Sequence, residues 1–352
     1  MVSLFGSKSL LGLDIGSGSI KAVQLKDLKE GYELELLGVM PLHPSIIAED
    51  AIADTVKLGE TLKELIKKFN IKAKNTVISI SGHSSVIIKR ITLPEMTEEV
   101  LNENIRFEAE QYVPFGIEDV NLDYQIIGPA EEAGQIDVVL VAVKKDLLNS
   151  YVNVVKDVGL VPVIVDVDAF ALENMYEINY HSGEEKNVAL VNVGVTNTTI
   201  NILRNGVSAF TRDSSIGSKI HTDTLMRELG VTMEAAEKLK RGQEAEGISA
   251  VKAEAIINSA SEEIVMEITR SLDYFSDTPD IGNIDELMLG GGGAMVKGFK
   301  ELITERTGLT VTLMNPFSKI KIPKQMDAKY VESVAPLAAV AVGLAMRRVG
   351  DR

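Results

Sequence analysis

The residues best suited to chemistry sit in two short glycine turns. One is Leu13-Asp14-Ile15-Gly16-Ser17-Gly18-Ser19 near the start; the other is Val191-Asn192-Val193-Gly194-Val195-Thr196-Asn197-Thr198-Thr199, past the middle. The second is an imperfect copy of the first. In each, an apolar run ends in an acid or its amide, a glycine follows two positions later, hydroxyl residues come next, and a second apolar run resumes. Glycine lets backbone N–H groups approach a ligand closely and hydroxyls add donors, so such a tip suits a phosphate. Two of them could hold one polyphosphate from opposite sides.

The elements that must position these tips are legible as an α/β pattern stated twice. Strand-like segments at 10–15, 21–26 and 32–40 are followed by a helical period over 52–69, with Val56, Leu62, Leu65, Ile66 and Phe69 on one face, and by a buried strand at 76–81. The pattern restarts at 86–91, with a helix over 97–111, strands at 120–127 and 136–143, and a helix over 146–158. This reads as a small β-α-β-β-α-β insert. Thr97 caps its first helix, Leu101, Ile105, Ala109 and Tyr112 line one face, and Pro114 ends it. The chain returns through 163–168 into a helix from Ala169, which Asp168 would cap. The second half repeats the first: the Asn192 hairpin, a strand at 207–213, and a long amphipathic helix carrying Ile256, Ala260, Ile264, Ile268, Leu272 and Phe275. A strand at 285–289 then runs into Gly290-Gly291-Gly292-Gly293 and a helix expected from Ala294. A loop over 315–330 and a small-residue helix over 336–347 complete the chain.

Composition excludes several classes. A formal charge of −15 repels nucleic acid and anionic lipid. There is no cysteine, so disulfides and thiolate metal sites are excluded, and the four histidines (His43, His83, His181, His221) have no ligand spacing and read as surface or loop residues. The apolar stretch 335–346 is too short to span a bilayer, and the first residues lack a basic region and cleavage site, which predicts a cytoplasmic protein.

A duplicated lobe with a glycine hairpin in each half, plus a late strand–glycine–helix turn, resembles the actin-like ATPases, the superfamily of actin, Hsp70, sugar kinases and FtsA. The resemblance implies two ribonuclease H-like lobes, and the insert resembles the FtsA-type subdomain 1C. On that pattern subdomain 1A takes 1–84, 164–186 and 335–352; 1C takes 85–163; 2A takes 187–216 and 284–334; 2B takes 217–283. The run Phe107-Glu108-Ala109-Glu110-Gln111-Tyr112-Val113-Pro114-Phe115, followed by Leu122-Asp123-Tyr124, and the run Val165-Asp166-Val167-Asp168-Ala169-Phe170-Ala171-Leu172 look like the PilM family of type IV pilus assembly proteins.

That resemblance implies ATP and Mg²⁺ as cofactors. Asp14, Gly16, Ser17, Gly18, Ser19 and Lys21 would form the first phosphate loop, with Asp14 holding Mg²⁺ through water. Asn192, Gly194, Thr196, Asn197 and Thr198 would form the second. Gly290, Gly291, Gly292 and Gly293 would pass under the adenosine, and Glu237, Lys240 and Arg241, which share one helix face, would reach ribose and adenine; spacing alone fits a salt-bridged surface helix equally well. Asp166 is the candidate water-positioning acid. Asparagine at 192, where the superfamily has aspartate, predicts slow or absent hydrolysis, with a plain turn residue as the other reading. The family further implies docking of the N-terminal cytoplasmic peptide of the membrane protein PilN in a groove between subdomains 1A and 1C, contact with other inner-membrane pilus components, indirect membrane contact, and self-association. An FtsA-like filament protein and a small-molecule kinase are the alternatives. The chain's last residues, 346–352, show no amphipathic tail of the FtsA kind, and Asn192 speaks against the kinase.

Overall fold

A computed structural model describes residues 9–48, 51–82, 84–181, 183–277 and 282–351; the first residues and His83, both read above, lie outside these. In chain order the strands are β1 (Leu11–Ile15), β2 (Ser19–Asp27), β3 (Tyr32–Pro41), β4 (Ile47–Ala48), β5 (Ala51–Ile52), β6 (Asn75–Ile80), β7 (Val86–Pro94), β8 (Val120–Pro129), β9 (Gln135–Lys144), β10 (Val161–Val167), β11 (Asn187–Val193), β12 (Thr198–Arg204), β13 (Val207–Ser214), β14 (Glu286–Gly290), β15 (Thr310–Leu313) and β16 (Ile320–Lys321). The helices are α1 (Thr55–Lys68), α2 (Glu98–Ala109), α3 (Lys145–Asp157), α4 (Asp168–Asn179), α5 (Lys219–Leu229), α6 (Met233–Lys240), α7 (Ala250–Ser276), α8 (Phe299–Thr307), α9 (Ala328–Val334) and α10 (Ala339–Met346).

The duplication is explicit in the sheets. The first runs β10-β6-β1-β2-β3-β16 and the second β15-β14-β11-β12-β13, so in each an antiparallel three-strand meander is extended by parallel strands beside its first member. Each sheet is apolar on both faces and must be covered twice. The outer face of the first packs on α1 and α3 through Leu58, Leu62, Leu147 and Val155. The outer face of the second packs on α5 to α8 through Leu225, Leu239, Ile264 and Phe299. The two inner faces share one core built around α4 and α10, which lie between the sheets. At this centre backbone meets backbone: a Cβ on Gly343 of α10 would stand 1.7 Å from the Ala171 carbonyl oxygen of α4, and one on Gly12 of β1 would stand 2.2 Å from the carbonyl oxygen of Ala341.

The insert has its own three-stranded sheet, β7-β9-β8, covered by α2 through Leu101, Ile105 and Ala109. The sequence reading placed α3 with the insert as well. In the structure α3 buries Leu147, Tyr151, Val154 and Val155 against α1 and the first sheet. Likewise β16, within the stretch assigned above to 2A, pairs with β3 at the edge of the first sheet, where Ile320 is buried. Local registers differ in detail too. In α1 the buried stripe is Leu58, Leu62 and Leu65, capped by Asp54, and it leaves Val56 69 % exposed in the first turn. In the insert, α2 stops at Ala109, so Tyr112 stands beyond its end and is exposed.

The chain passes between the halves after Tyr180 and again over 314–319, and the described parts of the two connections lie side by side where Tyr180 meets Asn315. The Tyr180 hydroxyl accepts from Asn315 N at 2.7 Å and lies 2.9 Å from the Asn315 carbonyl, and Asn179 Oδ1 accepts from Ser318 Oγ and Lys319 N, each at 3.1 Å. Downstream of the second connection, Ala328–Met346 is a helical run of 19 residues apolar enough to cross a membrane by composition; 67 % of its most apolar stretch is buried between the sheets. Its small side chains are what the central helix crossing demands.

Candidate functional site

The β1–β2 and β11–β12 turns are built alike. Gly16 N donates to Ser19 O at 3.2 Å and Gly194 N donates to Asn197 O at 2.8 Å, so each tip is a four-residue turn opened by its glycine. The tips face each other and touch: Thr196 Oγ1 donates to Ser17 Oγ at 2.9 Å, and a Cβ on Gly18 would stand 2.4 Å from Val195 Cγ2. Register then places the charged pair. Asp14 lies opposite Lys21 across the β1–β2 ladder, and Lys21 Nζ sits 3.2 Å from Asp14 Oδ2, both side chains almost wholly buried. Asn192 holds the equivalent place in the second hairpin, opposite Thr199.

One cleft gathers most of the residues singled out in the sequence. Asp14, Gly16, Ser17, Gly18, Ser19 and Lys21 line it from one lobe; Asn192, Gly194, Thr196, Asn197, Glu237, Lys240, Arg241, Gly291 and Gly292 line it from the other. Glu237, Lys240 and Thr222 form a closed set: Lys240 Nζ donates to Glu237 Oε1 at 2.7 Å and to Thr222 Oγ1 at 3.0 Å, and Thr222 Oγ1 donates to Glu237 at 2.6 Å. Burial pushes the Glu237 carboxyl up, but the Lys240 charge and hydrogen bond outweigh it and hold the carboxyl below its ordinary value. Burial lowers the Lys240 ammonium. Behind them His221 is fully buried, contrary to the surface placement expected; its Nε2 lies 2.8 Å from Ser261 Oγ, and burial lowers it to about 4, so it is neutral at pH 7.

Four assigned residues do not face the cleft as expected. Thr198 is buried and donates to Ile216 O at 2.7 Å, holding the base of the second hairpin. Gly290 and Gly293 serve packing: a Cβ would stand 2.6 Å from Met314 Sδ at Gly290 and 2.3 Å from Val193 Cγ1 at Gly293. Gly291 does both, since it lines the cleft at φ 83° with Val193 O 2.3 Å from where its Cβ would be. The glycine run therefore lets the chain turn tightly against β11. It continues as a 3₁₀ turn, and α8 begins at Phe299 and not at Ala294.

The fourth is Asp166. It points away from the cleft into a second cavity, where its Oδ2 lies 3.5 Å from Arg347 Nε. Asp168 lines the cleft instead. It does not cap α4: the cap is Val167, with no side-chain cap bond. Its carboxyl bonds Ser79 and Ser81, and burial, with Asp14 and Asp213 nearby, raises it to about 7. Asp213 ties the lobes at the same floor, accepting from Thr199 Oγ1 at 2.7 Å and from Gly82 N at 3.2 Å, while Asn197 Nδ2 donates to Ser81 Oγ at 3.2 Å. An Asp that folds protonated loses stability as pH rises from its unfolded value, near 3.8, through about 7, because only the unfolded chain ionises freely in that window. The melting-temperature gain of Asp168→Asn over wild type should therefore be larger at pH 8 than at pH 4.5, by a few degrees. A gain that does not change with pH would refute the raised carboxyl.

Among the described residues no group of three or more His, Cys, Asp or Glu side chains is placed to hold a metal ion. A divalent cation here would depend on ligand oxygens and water beside Asp14, the usual habit of Mg²⁺ with phosphates.

The family model for type IV pilus assembly protein PilM matches residues 12–349. Among solved structures, the chain is similar to the PilM-PilN type IV pilus biogenesis complex, with a TM-score of 0.87 and 26 % identity over 98 % of this chain and 100 % of that one. It is similar in fold to ethanolamine utilization protein EutJ from Carboxydothermus hydrogenoformans (TM-score 0.58, 14 % identity, 97 % and 92 % covered). It also shares its fold with MreB5 of Spiroplasma citri bound to AMPPNP (TM-score 0.54, 12 % identity, 95 % and 94 % covered). The fold is that of the actin-like ATPases.

Proposed function

The chain belongs to the PilM family of type IV pilus assembly proteins, and from that premise we propose that it is an ATP-binding, actin-like component of the pilus assembly platform that docks the N-terminal cytoplasmic segment of PilN and is held beneath the inner membrane by it. The observation that carries the nucleotide reading is the pair of matching hairpin tips facing across one cleft. Backbone N–H groups and the Ser17 and Thr196 hydroxyls would receive phosphate oxygens, Lys21 would turn from Asp14 to the phosphates, and Asp14 would hold water around Mg²⁺. Glu237, Lys240 and Arg241 would receive the sugar and base. Nucleotide between the tips would replace the direct Thr196–Ser17 contact and fix the angle between the lobes, a population shift driven by differential binding.

Hydrolysis in this site needs a positioned water. Asn192 keeps the shape of an aspartate and drops its charge, so the second hairpin offers no carboxylate to orient the attacking water and turnover should be slow; Asp168, raised to about 7, is about half ionised at pH 7 and is a carboxyl that remains at the cleft floor. Asn192→Asp should raise ATP turnover at least tenfold with little change in ATP affinity; an unchanged rate would reduce Asn192 to a turn residue. The peptide reading rests on the second cavity, between the insert sheet and the first sheet.

The first experiment is a calorimetric titration of nucleotide-stripped protein with Mg·ATP, then with a synthetic PilN N-terminal peptide. Saturable one-to-one binding of each is expected. Absence of ATP binding would leave the cleft a structural relic, and absence of peptide binding would remove the docking assignment.

A further inference from the structure

The charge of this chain is unevenly placed. Of the formal −15, the insert over 85–144 carries −8, with twelve acidic side chains against four basic ones, whereas α1 and the loop after it, 55–74, carry six lysines against two glutamates, a net +4. Each region also shows water a large apolar side chain. On α2 it is Phe107, 69 % exposed, with the exposed Val100 seven residues earlier on the same helix face; on α1 it is Val56, exposed to the same degree. One exposed apolar residue is ordinary, but two of them, each set in charge of one sign and the signs opposite, make two patches that complement each other.

Both patches face outward by construction. Along β9, Val138, Leu140 and Ala142 pack with Leu101, Ile105 and Ala109 of α2, while Val139, Val141 and Val143 line the second cavity. Alternate residues take opposite faces of a strand, so α2 lies on the far side of the insert sheet from that cavity and stays uncovered when the cavity is filled. On α1 the buried Leu58, Leu62 and Leu65 leave Glu60, Lys63 and Lys67 in the exposed stripe that starts at Val56. Spacing then fixes how the two helices match. At a rise of 1.5 Å per residue, Lys63 and Lys67 lie about 10 and 16 Å beyond Val56, and Glu103 and Glu99 lie about 6 and 12 Å before Phe107. Laid antiparallel with Phe107 against Val56, the helices bring the lysines beside the glutamates; laid parallel, the lysines would run past the end of α2 at Ala109. Glu60 is the one acid on the α1 stripe and meets Glu103 in the antiparallel arrangement.

We propose that α2 of one copy of this chain docks antiparallel on α1 of the next. The two faces are different surfaces, so each copy keeps one of them uncovered after pairing, and the contact propagates into a ring or an open row. A single pair of helices buries much less than the roughly 1,600 Å² of a standard interface. The contact is therefore weak in dilute solution, weakened further by salt, and strengthened wherever copies are tethered close together.

The test is sedimentation velocity of the full chain over rising concentration, at low salt and again at about 0.5 M NaCl, where screening leaves only contacts within a few ångströms. Wild type should associate at low salt and lose at least about fivefold in association constant at high salt. A chain with Lys63→Glu and Lys67→Glu, and a second with Glu99→Lys and Glu103→Lys, should each stay monomeric, yet an equal mixture of the two should associate, because each face then meets one of opposite sign on the other chain. Phe107→Ser should weaken association about tenfold with an unchanged melting temperature, and Glu60→Lys, which removes the like charge, should tighten it. Wild type that is monomeric at the highest concentration and lowest salt would overturn the proposal. So would association that Phe107→Ser leaves unchanged, or a mixture of the two reversed chains that stays monomeric while both keep the melting temperature of wild type.

Discussion

Gly343→Ala should cost more than about 3 kcal/mol of stability, enough to leave much of the protein insoluble at ordinary growth temperature. The added methyl would lie 1.7 Å from a main-chain oxygen of α4, and a main-chain atom cannot rotate away as a side chain can. The strain falls where α4 and α10 cross between the two sheets, so easing it would mean parting both inner faces of the shared core. Gly59→Ala is the matched comparison. That glycine lies inside α1, where its Cβ would make only an ordinary 3.9 Å contact with Val158, and alanine there should add roughly 0.5–1 kcal/mol. Urea denaturation of both variants reads the difference; equal stabilities would refute the close crossing.

Lys21→Ala should weaken ATP binding at least a hundredfold while leaving the fold intact. A unit positive charge about 4 Å from a phosphate is worth roughly 4 kcal/mol at an effective dielectric near 20. Lys21→Arg keeps the charge and should lose far less. Calorimetry with Mg·ATP measures both, with the melting temperature as the folding control. An unchanged dissociation constant for the alanine variant would mean that the phosphates do not lie against the first hairpin.

The parts of this site legible in the sequence are those set by local spacing. Asp14, Gly16 and Lys21 are placed by a hairpin whose register follows from its own few residues, and the same holds for Asn192 and Gly194. What was not legible depends on how one element gives way to the next. Asp166 and Asp168 are two apart, and a continued strand would send both to one side; β10 ends at Val167, the helical turn rotates Asp168 into the cleft, and Asp166 stays with Arg347. The spacing of the glycine run suggests ligand contact, yet Gly290 and Gly293 answer to Met314 and Val193, residues remote in sequence that no local pattern identifies. His221 looked like any isolated histidine, and only the packing of α5 against α7, which brings Ser261 to its ring, buries it. For the fold, the doubled succession of strands and helices is visible from repeated patterning, whereas the sheet order, the return of β16 to the first sheet and the packing of α3 on it arise from long-range pairing and burial.

The two connections between the halves run side by side, tied by Tyr180 to Asn315 and by Asn179 to Ser318 and Lys319. Two threads sewn at one point leave two plates a single easy movement, a swing about the seam. Sliding and twisting would have to tear hydrogen bonds at the seam or shear α4 past α10, where main chains are already in contact. A ligand that propped the hairpin tips apart would therefore express itself chiefly as one angle, and an angle read far from the seam becomes a displacement that grows with distance.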